Sequence, residues 1–362
     1  MIKKHTLSNF LLILTALYMS IDIYLYIITL FIFLFVTPIK KQIKIHLKNI
    51  LLFIIVISFL LLFLLNSSQM TLPNPLLTIM RYCLLVFFIF YLSNFYEIDK
   101  LIYFFFWLCI FTLLSAFIIS GYSIYLNISS FRTLGYGHVY NPLHDVYVPS
   151  PKIALQIALC ISYITLFFNT KKIIKIILYI ISFATILYLQ SRASFLILLL
   201  LALSPILYLI KNKRLLIIVL LFLSITLVLI IFKEPNIVID KYRITNSILE
   251  SKRLLHWFDG INKLIEYPFG GFYIDKNIEN VNYFHNIFLD SARIYGWFSI
   301  ILLIGMFIIY FSTLIINNNK IYFLLFLINF MILNQDVIIE GNFLLFLIFY
   351  IASTILINQE YE

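Results

Sequence analysis

The stretch KKQIKIHLKNILLFIIVISFLLLFLL, residues 40–65, decides the fold. Lysines crowd its first nine residues, and from Ile50 to Leu65 only Ser58 interrupts the apolar side chains. An α-helix rises about 1.5 Å per residue, so a run of this length approaches the ~30 Å hydrocarbon thickness of a bilayer. A basic connector followed by an apolar helix is the repeating unit of a polytopic membrane protein.

The rest of the 362-residue chain repeats that pattern. Hydrophobic residues make up 63% and charged residues 12%, about half the ~25% of a soluble domain. The first apolar run is not followed by an Ala-x-Ala-like cleavage site and reads as a span rather than a secretory leader. The net charge of +10 comes largely from lysines in short connectors, which points to the positive-inside rule and away from nucleic acid. Cys83, Cys109 and Cys160 lie far apart within apolar runs, in neither a disulfide nor a zinc-ligand pattern.

The basic connectors are Lys3-Lys4, residues 40–48, "EIDK" from Glu97, "KKIIK" from Lys171, "KNKR" from Lys211 and "NNNK" from Asn317. Placing them all on one side requires an even number of spans between each pair. Spans are therefore expected at 7–20, 23–38, 49–65, 76–95, 101–120, 151–169, 173–189, 194–210, 215–232, 297–316, 321–334 and 343–358. "MSID" near Met19 is the tight outer turn between the first two. The fold class is thus all-α, with about twelve transmembrane helices in a single domain over 1–362 and both termini inside. Residues 233–296 form a large extracytoplasmic loop, or cap. It carries eight Lys/Arg and eight Asp/Glu, which a loop longer than ~60 residues tolerates on the outer side.

Within the cap, "NSILESKRLLHWFDGINKLIEYPFGGF" from Asn246 reads as an amphipathic helix. Ser247 and Glu250 fit a capping box, and Pro268 with Gly270-Gly271 ends the helix. Leu254, Phe258, Ile261 and Ile265 recur at helical spacing, so this stripe should rest on the membrane domain or on the lipid interface. Arg253 and Trp257, four apart, share a face. The pair is either a packed tryptophan under a snorkelling arginine or an anion-binding arginine beside a sugar-stacking ring.

"YLQSRASFLILLL" places Arg192 between two apolar runs with almost no loop. Ser191, Ala193 and Ser194 favour a tight, buried turn, and an arginine in such a place is a functional candidate. His285 and Asn286 stand at the entrance of the tenth span. His256 beside Trp257 is expected to be solvated. His138, His144 and Asp145 do not reach a standard zinc-ligand spacing. Asp336 and Glu340 could hydrogen-bond sugar hydroxyls or assist catalysis, but read first as an ordinary polar loop.

"SRAS", a long outer loop with "RLLHW", then "PFGGF", then "HNIFLDSARIYG" before a span resemble the O-antigen polymerase/O-antigen ligase superfamily. Arg192, Arg253, Trp257, Pro268, Gly271, His285, Asn286 and Gly296 fall on the family's motif positions, over roughly residues 185–300. Two departures stand out: "SRAS" replaces the commoner Ser-Arg-Gly, and "FRTLGYGHVYNPLHD" from Phe131 matches the family's first-loop element loosely, through Arg132. The resemblance implies a GT-C-like glycosyltransferase in the bacterial cytoplasmic membrane, acting on its outer face on polyprenyl-diphosphate-linked oligosaccharide. It needs no cofactor or metal, and a flippase and a chain-length regulator are its protein partners.

Breaking the bond from the anomeric carbon to diphosphate leaves charge on the leaving group. The outer loops hold no Asp-x-Asp for a metal, so fixed arginines are the expected stabilisers. Arg192 and Arg253 come first, with Arg243 and Arg132 in reserve. His285 is the expected base for the acceptor hydroxyl, because histidine titrates near neutral pH. Asn286 orients it or caps the next helix, and Trp257 contacts the sugar. A polysaccharide polymerase is the expected activity; a ligase, which hands the glycan to a lipid core or a protein, is the alternative and differs only in the acceptor. A flippase of about twelve spans is the alternative from a different class, against which the single asymmetric cap argues.

Overall fold

The computed structural model describes residues 2–39, 45–66, 68, 70–126, 137–209, 252–274, 283–317 and 319–359. Among them are α1 (Ile2–Ser20), α2 (Leu25–Val36), α3 (Leu47–Leu65), α4 (Pro75–Phe95) and α5 (Ile98–Leu126). The hairpin β1 (His138–Asn141) and β2 (Val146–Pro149) follows, then α6 (Ser150–Leu166), α7 (Lys172–Leu189) and α8 (Arg192–Leu209). The last elements are α9 (Lys252–Glu266), α10 (Ile287–Asn317), α11 (Lys320–Leu333), the short α12 (Ile338–Gly341) and α13 (Phe343–Gln359).

The chain is an all-α polytopic membrane protein. Helices α3, α4, α5, α7 and α10 are long and apolar enough to cross a membrane, and α1, α2, α6, α8, α11 and α13 are shorter apolar helices. Each coincides with an expected span. The ninth expected span, 215–232, lies outside the described residues. A lipid-embedded backbone must satisfy its own hydrogen bonds, which is why these runs are helical. Their few hydroxyls do the same: Thr15, Ser120, Ser162 and Ser353 each donate to the carbonyl four residues back.

The chain divides into two compact units. The first comprises residues 1–115, 259–274 and 281–362. Here α13 is the central helix, buried along nearly its whole length. Its all-round apolar sequence suits protein or lipid on every side, and here the neighbours are protein. It packs against α4, α10, α3 and α11. Helices α1 and α2 form a hairpin closed by Asp22 in the left-handed conformation (φ 53°), with the Thr15 and Thr29 hydroxyls bonded at 2.8 Å.

Polar contacts gather at both ends of this unit. At one end Lys100 Nζ donates to Ser8 Oγ (2.9 Å), Asn49 Nδ2 to Asn358 Oδ1 (3.0 Å) and Tyr96 Oη to the Thr37 carbonyl (3.3 Å). The opposite end carries the 21–24 turn, the 66–74 connector, residues 283–286 and α12.

The second unit comprises residues 116–258 and 275–280, in which α6, α7 and α8 pack on one another. The α7–α8 turn is as tight as its sequence requires. Gln190 takes the left-handed conformation (φ 52°), and the buried Ser191 and Ser194 hydroxyls bond each other at 2.9 Å. The antiparallel β1–β2 hairpin pairs His138 with Pro149 and Asn141 with Val146, an element the hydropathy pattern does not reveal. Ser123 Oγ fixes it by accepting from the Tyr140 amide at 2.9 Å, and the Ser150 amide donates to the Gly137 carbonyl at 2.7 Å.

Candidate functional site

Residues 283–286, which lead into α10, are held by several hydrogen bonds. His285 has φ 54°, a left-handed conformation that few non-glycine residues adopt. The residues on either side hold it there. The Asp290 carboxylate accepts from the Phe284 amide (2.7 Å) through Oδ1 and from the Asn286 amide (3.1 Å) through Oδ2. Asn286 Oδ1 in turn accepts from the amides of Phe288 (3.0 Å) and Leu289 (3.2 Å). This is reciprocal capping: the Asn286 side chain satisfies free amides of α10, and an acid one turn inside the helix satisfies the amide of the cap residue. The carboxylate also lies at the positive end of the helix dipole. Asn286→Ala removes two acceptor contacts and should lower stability by about 1 kcal/mol, measurable as a shift in urea-unfolding midpoint in detergent.

A second clamp grips the same segment from α9 and the turn after it. A Cβ on Gly260 would stand 2.8 Å from the Phe284 ring, so the absence of a side chain lets α9 seat directly on the residue before His285. Phe272 and Phe284 bring their rings to 6.1 Å. The turn "PFGG" then docks on α10 where that helix kinks. Gly296 has φ 58° and ψ −141°, which breaks the helix into 287–295 and 297–317. The Trp297 amide donates to the Pro268 carbonyl (3.0 Å), and the Gly271 amide donates to the Arg293 carbonyl (2.7 Å). Asn66 Nδ2 reaches the Ile294 carbonyl at 3.4 Å. Carbonyls released by the kink thus find donors, as buried backbone must. Two motif elements 28 residues apart, the proline turn in the middle of the cap and the glycine at its end, are one contact.

The third support is Glu340. Its side chain and that of Arg293 are each only 3% exposed, and Arg293 Nη2 donates to Glu340 Oε1. Glu340 Oε2 accepts from the Thr71 amide (2.7 Å), the Thr71 hydroxyl (3.0 Å) and the Tyr283 hydroxyl (3.3 Å). Burial, and next the negative charge of Glu340, push the Tyr283 phenol upward from its ordinary range, so it stays protonated as a donor. The Arg293 guanidinium lies over the Tyr283 ring at 5.6 Å. Glu340 is therefore not part of an ordinary polar loop. It is the buried carboxylate that joins the 66–74 connector, the loop before His285 and the first turns of α10. Neither Glu340 nor Asp290 stands out in the sequence as a structural anchor. The Asn286/Asp290 spacing was the only local signal.

His285 and Asn286 lie together in the first unit. Arg192 is the first residue of α8, in the second unit, and is half-buried beside Ser191. Arg253 and Trp257 lie one turn apart on α9, in the part belonging to the second unit, with Trp257 half-buried. Arg132 and Arg243 lie outside the described residues, as do Ser247 and Glu250. His256 is buried rather than solvated. The helix ends at Glu266, as Pro268 requires, and its stripe of Phe258, Ile261 and Ile265 is exposed, the side expected to meet either the membrane domain or the lipid interface. The buried face is instead His256, Gly260 and Leu264, because the glycine permits the closest approach.

A small crevice of about 10 Å³, room for roughly one water, lies beside the clamp, bordered by Phe63, Ile287, Asp290, Ser291, Val337 and Glu340. Both carboxylates there already accept from protein donors. Among the described residues no three His, Cys, Asp or Glu side chains group as metal ligands. No protein-family model matches this chain, and no curated protein matches it.

Proposed function

We propose that this chain is a membrane glycosyltransferase that polymerises oligosaccharide repeat units carried on polyprenyl diphosphate, at the outer face of a bacterial cytoplasmic membrane. The observation that supports it best is the presentation of His285. A left-handed histidine between two amides held by one carboxylate is a conformation maintained against its own preference, and such conformations concentrate at functional positions.

In this reading the acceptor hydroxyl attacks the anomeric carbon of the donor sugar. The bond from that carbon to the diphosphate oxygen breaks, its electron pair leaves with the diphosphate, and the hydroxyl proton passes to the His285 imidazole. Arg192, at the amino end of α8, and Arg253, at the start of α9, neutralise the departing diphosphate. Guanidinium groups suit this work because they stay charged and fork onto phosphate oxygens. Asn286 fixes the loop, and Trp257 offers a ring to the sugar.

The test is polymer formation by purified protein in proteoliposomes with lipid-diphosphate repeat units. Chains should lengthen with a chelator present. His285→Ala and Arg192→Ala should each lower the rate at least ~100-fold while the protein stays folded in the membrane. Full-length polymer from either variant would sink that residue's assignment, and loss of activity on chelation would overturn the arginine mechanism. Complete lipid-linked chains that are passed only to a lipid core or protein would identify a ligase. Movement of units across the vesicle by His285→Ala protein would identify a flippase.

A further inference from the structure

Two arginines, Arg81 and Arg293, lie near the end of the first unit that carries His285, and their surroundings differ. Arg293 is neutralised by Glu340. Arg81 lies six residues into α4, about 9 Å along a helix apolar enough to span a membrane. Its Nε donates to the Leu77 carbonyl and its Nη2 to Thr78 Oγ1, both at a long 3.3 Å. Its guanidinium lies 4.1 Å from the centre of the Tyr24 ring. Among the described residues no carboxylate forms an ion pair with it. A charge within a span that is held in place but not neutralised marks a binding position.

The surroundings indicate the kind of ligand. A guanidinium has five N–H donors, and two of Arg81's are engaged, weakly. Tyr24 fixes the plane of the group by a cation–π contact while remaining 58% exposed itself. On either side lie exposed apolar residues of two helices, Leu25 and Ile28 on α2 and Leu76, Leu77 and Met80 on α4. A soluble anion would find no use for that apolar surface, whereas an anion at the head of a hydrocarbon chain covers it. Asp22 is the nearby opposing charge: it and Arg81 both act electrostatically on the Tyr26 and Tyr82 hydroxyls.

We infer that Arg81 and Tyr24 form a binding site for a lipid-borne diphosphate, separate from the one assigned to Arg192 and Arg253. The inference rests on the polymerase reading, which requires two lipid diphosphates at once: one leaves the growing chain, and the other stays attached to the acceptor unit. Arg81 holds the diphosphate of the acceptor and thereby positions its sugar; it takes no part in bond breaking.

Binding of glycan-free polyprenyl diphosphate to the full-length protein, counted by native mass spectrometry, tests this without turnover. Wild-type protein should hold two of these lipids. Arg81→Ala should hold one, and Arg192→Ala should hold the other. Arg81→Lys and Tyr24→Leu should each weaken one of the two sites by about tenfold, and they carry the test if Arg81→Ala fails to fold. Asp22→Asn should tighten that site. In the polymer assay Arg81→Lys should raise KM for the acceptor and leave KM for the donor unchanged. Unchanged stoichiometry and affinity in every Arg81 and Tyr24 variant would overturn the inference, as would displacement of the second lipid by an equal concentration of phosphatidylglycerol. Two bound diphosphates without polymer formation would leave the site standing and remove the polymerase reading.

Discussion

Glu340→Ala is expected to destabilise the protein by about 3–5 kcal/mol, because it leaves Arg293 charged and buried without its counter-ion. The same change strips acceptors from the Thr71 amide and hydroxyl and from Tyr283. Thermal unfolding in detergent should show a large drop in Tm. Glu340→Gln keeps acceptors for Thr71 and Tyr283 but not the charge, so it should fall between wild type and Ala. The double variant Glu340→Leu/Arg293→Met should recover the part of the loss that comes from the unpaired guanidinium, but not the part that comes from the Thr71 and Tyr283 donors, which still lack an acceptor. If the double variant is as unstable as the sum of its parts, Arg293 and Glu340 do not act as a coupled pair.

Gly296→Ala is the second large effect, on the order of 4 kcal/mol or more. The backbone at φ 58° and ψ −141° belongs to a region that only glycine enters readily. Any Cβ there would stand 1.9 Å from the Pro268 carbonyl oxygen. Relief would require the proline turn to lift off α10, which breaks the Trp297–Pro268 and Gly271–Arg293 hydrogen bonds together. Gly270→Ala meets the Ile294 carbonyl oxygen at 2.5 Å and should behave alike. Gly121→Ala is the control: nothing lies within 4 Å of its Cβ, and alanine favours the helix. Gly296→Ala protein with wild-type Tm would show that the kink is not required.

Membrane character was fully legible in the sequence. Bilayer thickness is fixed and helix hydrogen bonds are local, so the length of an apolar run is enough to place a helix. Eleven expected spans follow that logic onto helices α1–α8, α10, α11 and α13. The turn at Gln190–Ser191 and the stop at Glu266 were equally local, set by small residues and by proline. The face on which α9 packs was not legible. Its apolar stripe fitted either the membrane domain or the lipid interface, and it is Gly260, with no hydrophobic signal of its own, that seats the opposite face against Phe284.

The sequence by itself determined the helices, the punctuation at Pro268, Gly270 and Gly296, and the presence of His285 and Asn286 at the entrance to a span. Only the tertiary structure decided that Glu340 neutralises Arg293 across 47 residues and reaches Thr71 across 269, and that Arg81 lies against Tyr24 without an acidic partner among the described residues. The reason is physical. Helix formation depends on neighbours a few positions away, so its signal is written along the chain. The fate of a charge depends on which distant segment is packed against it, and no local pattern carries that information.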